Sequence, residues 1–239
     1  MRLRLSQFMR RSSDEGLTLI ESLVAIAIIG IVLAAIAPPL LIAAATRVQN
    51  QRTEQAMQIA HGEINRVRLI VERRGEQELY QAGDLPPVST ASSLQDTPAP
   101  KRDTTGFTSD RKQLTSTKGL AIYVNRDAKG NPLDCRRNVK NECIPDFVVQ
   151  LFRQPGITAE GVENPSNSSP PPNAFRMGVR VYEYQAFLSG NSPLSTQRNP
   201  LSLTSQNNLQ HPLAVVYTTV ARSQSGLSLE QYRQLLDKK

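Results

Sequence analysis

The chain has 239 residues, a formal net charge of +7, 39% apolar residues, 5% aromatic residues and no Trp. At roughly 150 residues per domain, that length allows one domain or two small ones. Leu23 to Ala45 is uncharged and, apart from Gly30, Pro38 and Pro39, apolar throughout; the remainder is thin in apolar content for a globular domain, which argues against a large, well-cored cytosolic enzyme.

Arg2, Arg4, Arg10 and Arg11 precede this block. Its length meets the ~20 residues that cross ~30 Å of hydrocarbon as a helix. Three readings compete at this point: a cleaved secretory signal, an ordinary single-span anchor, or a specialised segment. Ala43-Ala44-Ala45 resembles a signal cleavage site, but a secretory apolar core is usually about 7 to 15 residues, shorter than this one. Just before the block stands Asp14-Glu15-Gly16-Leu17-Thr18-Leu19-Ile20-Glu21-Ser22. A carboxylate inside a membrane helix costs ~2.5–3.5 kcal/mol at the centre, so Glu21 needs either headgroup-level solvation or a partner.

Gly16, Leu17, Thr18 and Glu21, opening a long apolar run after a 16-residue basic leader, resemble the type IV pilin and pseudopilin family. The leader ends in Asp14-Glu15, where family members usually carry Lys or Arg before the Gly. The resemblance implies that a prepilin peptidase cuts between Gly16 and Leu17 and N-methylates the new Leu17 amine. It implies that this amine pairs with Glu21 of a neighbouring subunit and that Pro38 and Pro39 bend the helix. Removing residues 1–16 would discard four Arg, one Asp and one Glu, and so two net positive charges. The segment from Ile31 through Pro38-Pro39 to Asn50 is most similar to the B-type cyanobacterial pseudopilins of hormogonium polysaccharide secretion. The implied partners are the prepilin peptidase, other pilin or pseudopilin subunits, the inner-membrane assembly platform and the inner membrane itself. Four Arg before the span, against Arg47 and Arg52 behind it, favour a cytoplasmic N-terminus and a periplasmic C-terminal domain.

Beyond the span, Val48, Ala56, Ile59, Ala60, Ile64, Val67, Ile70 and Val71 recur at spacings of three and four, the pattern of an amphipathic helix. Gly75 is a plausible C-cap. Residues 76–118, rich in Ser, Thr, Pro, Asp and Gln, read as a long loop or partly disordered connector. Strands are expected at Leu120–Asn125, Phe147–Arg153, Phe175–Tyr184 and Leu213–Ala221, with loops at 154–174 and 189–212. Phe175, Met177, Val179 and Val181 alternate with Arg176, Gly178, Arg180 and Tyr182, as a half-buried strand should. Ser228-Leu229-Glu230-Gln231 has capping-box spacing, so a short helix to about Lys238 is expected.

Cys135 and Cys143 are the two cysteines; an oxidising compartment favours a disulfide over free thiols. No cofactor or metal is expected, because His61 and His211 stand far from them in sequence. No nucleophile, metal or phosphate-loop motif occurs, and the chain is not expected to be an enzyme. Basic residues gather at Arg66, Arg68, Arg73 and Arg74, at Lys101-Arg102, at Arg111-Lys112 and at Arg136-Arg137. They form either a solvated, salt-bridged surface or a surface for nucleic acid or an acidic polysaccharide.

The expected architecture is α+β and pilin-like: a long N-terminal helix packed on a small antiparallel sheet, in a loop-rich chain. Its segments are a leader (1–16), the helix (17–75, membrane-spanning about 22–45 and amphipathic 46–75) and a periplasmic β domain (76–239). The expected function is that of a minor pilin or pseudopilin subunit of a type IV pilus-like or type II secretion-like filament. The alternatives are a pilus-associated polymer-binding protein for DNA or glycan, and a membrane-anchored periplasmic protein that never assembles.

Overall fold

The computed structural model describes residues 18–73, 84–103, 105–124, 143–158, 163–164, 172–188, 193–198, 209–222 and 233. The chain divides into two compact units, Met1–Asn50 and Gln51–Lys239. Helix α1 is Leu19–Arg73, and Pro38 and Pro39 lie inside it. Neither proline has an amide N–H, so the carbonyls of Ala34 and Ala35 lose their usual partners one turn on.

In the second unit, a mixed and mostly antiparallel sheet has seven strands: β1 Phe107–Thr108, β2 Gly119–Ile122, β3 Phe147–Arg153, β4 Gly156–Ile157, β5 Glu163–Asn164, β6 Ala174–Glu183 and β7 Ala214–Ala221. A short helix α2, Gln185–Leu188, follows β6. Strand β6 is the centre, pairing in antiparallel with β3 along one side and with β7 along the other. After the interruption at Gln154-Pro155, β4 resumes the β3 side, with Ile157 opposite Ala174. Among the described residues β1 and β2 pair in parallel, so the small antiparallel sheet expected from sequence is mixed at this edge.

One face of the sheet packs on α1. Ala56, Ala60, Ile64, Val67 and Val71 meet Phe147, Val149, Leu151, Phe175, Met177, Val179 and Val181 in the main core. Burying each large aliphatic side chain here contributes ~1.5–3 kcal/mol. The helical stripe read from spacing is thus the packed face from Ala56 on, whereas Val48 is exposed. Arg68 Nη2 donates to Thr218 Oγ1 at 3.3 Å, and Arg52 pairs with Glu183.

The opposite face is also covered, which corrects the half-buried reading of β6. Gly178, Arg180 and Tyr182 are as buried as their apolar neighbours. The cover comes from residues 84–103 and 105–118, here called the strap, which is largely irregular but packed: Leu94 and Thr97 are buried, with Arg180 bonded to their carbonyls, whereas Leu85 joins the main core on the α1 side. A second apolar cluster joins Val148, Tyr182, Ala186, Phe187 and Leu194, with Phe107 against it.

Strand β2 stops at Ile122 instead of Asn125. There Asp146 takes over: its backbone N–H donates to Ile122 O and its Oδ2 accepts from Val124 N, both at 2.9 Å. β6 and β7 match their expected spans to within a residue at each end. The expected loop at 154–174 contains the two-residue strands β4 and β5. Gly75 lies outside the described residues, as does the expected terminal helix except Arg233, which is helical.

Candidate functional site

Helix α1 opens on Thr18. The Glu21 backbone N–H donates to Thr18 O at 3.0 Å and lies 3.4 Å from Thr18 Oγ1. Thr18 with Glu21 three residues on is the sequence of a capping box, in which the threonine side chain accepts from the third helical N–H. A carboxylate in the first turn also complements the positive end of the helix dipole. The Glu21 side chain is exposed and forms no ion pair among the described residues. Ser22 Oγ donates to Leu19 O at 2.8 Å, and Thr46 Oγ1 to Ala43 O at 3.0 Å, so two hydroxyls flanking the apolar stretch are spent on their own helix.

Along the first part of α1 the apolar side chains point outward on every side. Leu19, Ile20, Leu23, Val24, Ile26, Ile28, Ile29, Ile31, Val32, Leu33, Ile36, Leu40 and Ile42 are all about half exposed or more. A helix apolar all round belongs in an apolar surrounding. Among the described residues, α1 is the one helix long and apolar enough to cross a membrane. Gly16 and Leu17 lie outside the described residues.

Cys143 is disulfide-bonded. Cys135, its expected partner, lies outside the described residues.

The basic residues divide differently from their sequence clusters. Arg111, from a 3₁₀ turn at Arg111–Gln113, reaches α1 and makes a fork to Glu63: Nη1 to Oε2 at 2.8 Å and Nη2 to Oε1 at 2.5 Å. Arg66 Nε adds a contact to Oε2 at 3.1 Å. Burial would raise the Glu63 pKa, but the bonds and charges of Arg111 and Arg66 outweigh it and hold the carboxyl below its ordinary value. Burial, followed by the nearby Arg111 charge, lowers the Arg66 pKa. Arg102 Nε donates to Ala186 O at 2.6 Å. These cations therefore tie strap, helix and sheet together. Arg74, Arg136 and Arg137 lie outside the described residues.

Sequence periodicity alone would place Arg180 on a solvent face. It is instead fully buried in the middle of β6. Its Nη1 donates to Thr97 O at 2.6 Å and contacts Gln150 Oε1 at 3.4 Å. Its Nη2 donates to Leu94 O, Gln95 O and the Tyr217 hydroxyl at 3.1, 2.9 and 3.2 Å. The guanidinium lies over the Phe152 ring, 4.7 Å from its centroid. Buried Gln150 donates to Pro98 O and Ser116 O, both at 2.6 Å. At the far end of β3, buried Arg153 donates Nε to Pro86 O at 3.1 Å. Proline supplies a carbonyl without an N–H to satisfy, so a Pro-rich strap suits a cation that needs acceptors only.

Residues 11–37 match the family model of the prokaryotic N-terminal methylation motif. No curated protein and no solved structure matches the chain. The motif and the long apolar helix are together consistent with the broader pilin and pseudopilin family.

Proposed function

We propose that this chain is a minor pilin or pseudopilin subunit that assembles through α1 into a type IV pilus-like or type II secretion-like filament. The observation that carries the proposal is a methylation motif at residues 11–37 that runs into a helix with apolar side chains exposed all round. Such a helix is suited first to the bilayer and then to the apolar interior of a helical filament. The motif implies cleavage by a prepilin peptidase, here between Gly16 and Leu17, and assembly with related subunits.

In this mechanism the N-methylated Leu17 ammonium pairs with Glu21 of the next subunit. The pair neutralises a carboxylate that would cost several kcal/mol to bury alone. Pro38 and Pro39, with two carbonyls unpaired beside them, give the helix its bend. A Cys135–Cys143 bridge closes a short loop in the periplasmic unit. The role is structural, not catalytic: a single pass through the inner membrane, N-terminus cytoplasmic, second unit periplasmic. The segment from Ile31 to Asn50 supports the narrower assignment to a polysaccharide-secretion system of the hormogonium type.

Mass spectrometry of the mature N-terminus tests the proposal, with methylated Leu17 as the expected first residue. Intact Met1, or a start at Thr46, would refute it. Glu21→Ala should leave membrane insertion intact and abolish incorporation into filaments; normal assembly of that variant would count against this mechanism.

A further inference from the structure

We infer that one rim of the second unit rests on the surface of the bilayer, with Val124 and Leu188 as its lipid-facing side chains. The inference rests on α1 being a membrane span, as proposed above. Two tie points within the second unit set the direction of β6 along the helix. Arg68 bonds Thr218, which stands opposite Met177, whereas Arg52 pairs with Glu183 at the end of β6. From Met177 to Glu183 the strand therefore runs back along α1, from Arg68 to Arg52.

Arg52 is also close in the chain to the apolar stretch. Ala45 ends the uncharged apolar run and precedes Arg52 by seven residues, about 10 Å of helix at ~1.5 Å per residue. Exposed Arg47 lies between the two. A long cation just past an apolar run can reach the headgroup phosphates. The end of β6 and whatever follows it are thus the part of the sheet tied nearest to the span.

This rim is built around Asp146. Its backbone carbonyl accepts from Tyr184 N at 3.2 Å, and its Oδ2 accepts from Val124 N at 2.9 Å. The end of β2 is thereby joined to the entry of α2, whose last residue is Leu188. Val124 is 45% exposed and Leu188 58%. Among the described residues of the second unit, Leu69 is the one other large apolar side chain so exposed. Singly scattered apolar residues are ordinary on a surface, but two of these three share the rim tied nearest to the span. Tyr123 and Tyr184, of the residue type enriched at headgroup depth, stand on the same rim and are half-buried. A lipid surface covers the aliphatic tips without requiring any bonded polar group to change partner.

The chain has no Trp, so a single introduced indole reports its own surroundings. Full-length Val124→Trp, Leu188→Trp, Ile28→Trp and Thr90→Trp are reconstituted in phosphatidylcholine–phosphatidylglycerol vesicles, either plain or brominated near the top of the acyl chains. Ile28 lies in the apolar stretch. Thr90 is exposed and follows Ser89, which bonds Arg153 at the far end of β3, about 20 Å from Phe147. Either rim variant suffices, provided that it melts like wild type. Val124→Trp and Leu188→Trp should lose emission to bromine and shift to the blue, whereas Thr90→Trp should do neither. Quenching of Ile28→Trp with neither rim variant quenched would overturn the inference and leave the span intact. An unquenched Ile28→Trp would overturn the span, and the inference with it. Equal quenching at Thr90→Trp would also overturn it, as would rim signals that grow with the protein-to-lipid ratio and so mark a second copy as the occupant.

Discussion

Replacing Arg180 by methionine removes one cation and strands the acceptors around it. The strap carbonyls of Gln95 and Thr97 lose the guanidinium, as do the Gln150 amide oxygen and the Tyr217 hydroxyl, while Leu94 O keeps only the Thr97 N–H at 3.4 Å. A buried acceptor left unpaired costs ~1–3 kcal/mol, but the strap can lift and hydrate its carbonyls, which limits the total. Methionine keeps most of the volume, so little cavity cost is added. The expected loss is about 3–5 kcal/mol, comparable to breaking one side of a buried ion pair. In a unit of this size that corresponds to a fall in Tm of roughly 6–20 °C at about 2–4 °C per kcal/mol. Circular-dichroism melts of the full chain in detergent measure it. Proteolysis confined to residues 84–103 should accelerate at temperatures where the rest is still folded. Arg180→Lys should recover only part of the loss, because an ammonium cannot span the same acceptors as a planar fork. A methionine variant within about 1 kcal/mol of wild type, or one whose strap resists protease as before, would refute the account.

Other outcomes follow from the same contacts. Glu63 has a lowered pKa in the folded protein, so its contribution is complete above its ordinary value of 4.5 and is lost as pH falls through the lower folded value. Thermal melts between pH 6 and the acid range should show this loss, and Glu63→Gln should flatten it. Gly178→Ala drives a methyl into the Phe152 ring and should destabilise by about 1–3 kcal/mol in denaturant titrations. Cys143→Ser should cost ~2.5 kcal/mol on the chain-entropy estimate for a loop of this length. A wild-type chain with the same stability in the presence and absence of reductant would contradict that figure.

The parts legible in sequence were those set by local periodicity. Phe147–Arg153 came out at its expected bounds, because β-branched and aromatic residues dominate it. The stripe from Ala56 to Val71 was legible because a helix must repeat its apolar face every three or four positions. Gly16, Leu17 and Glu21 were legible as a pattern in a linear segment. What escaped was everything decided by distant chain. Arg180 alternates with apolar residues as a solvent-facing residue would, and only a strap more than eighty positions away removes it from water. The strap read as a long loop or partly disordered connector, since its order comes from carbonyls, which every residue has and no composition reveals. Glu63 is similar: one carboxylate on a helix gives no sign that Arg111, forty-eight residues on, will meet it.

The way the strap is gripped has a consequence for its freedom to change. Arg180, Arg153 and Gln150 hold it mainly by main-chain oxygens, at Pro86, Leu94, Gln95, Thr97, Pro98 and Ser116. Such a hold specifies a path and a length but few side chains. Gln95 and Pro98 are exposed along that path. Their identities can be exchanged while the fasteners beneath stay engaged, much as a fabric can be recoloured on an unchanged frame. An outer surface able to take on new chemistry, over an interior that does not notice, is a useful property for a subunit whose exposed side must suit whatever it meets.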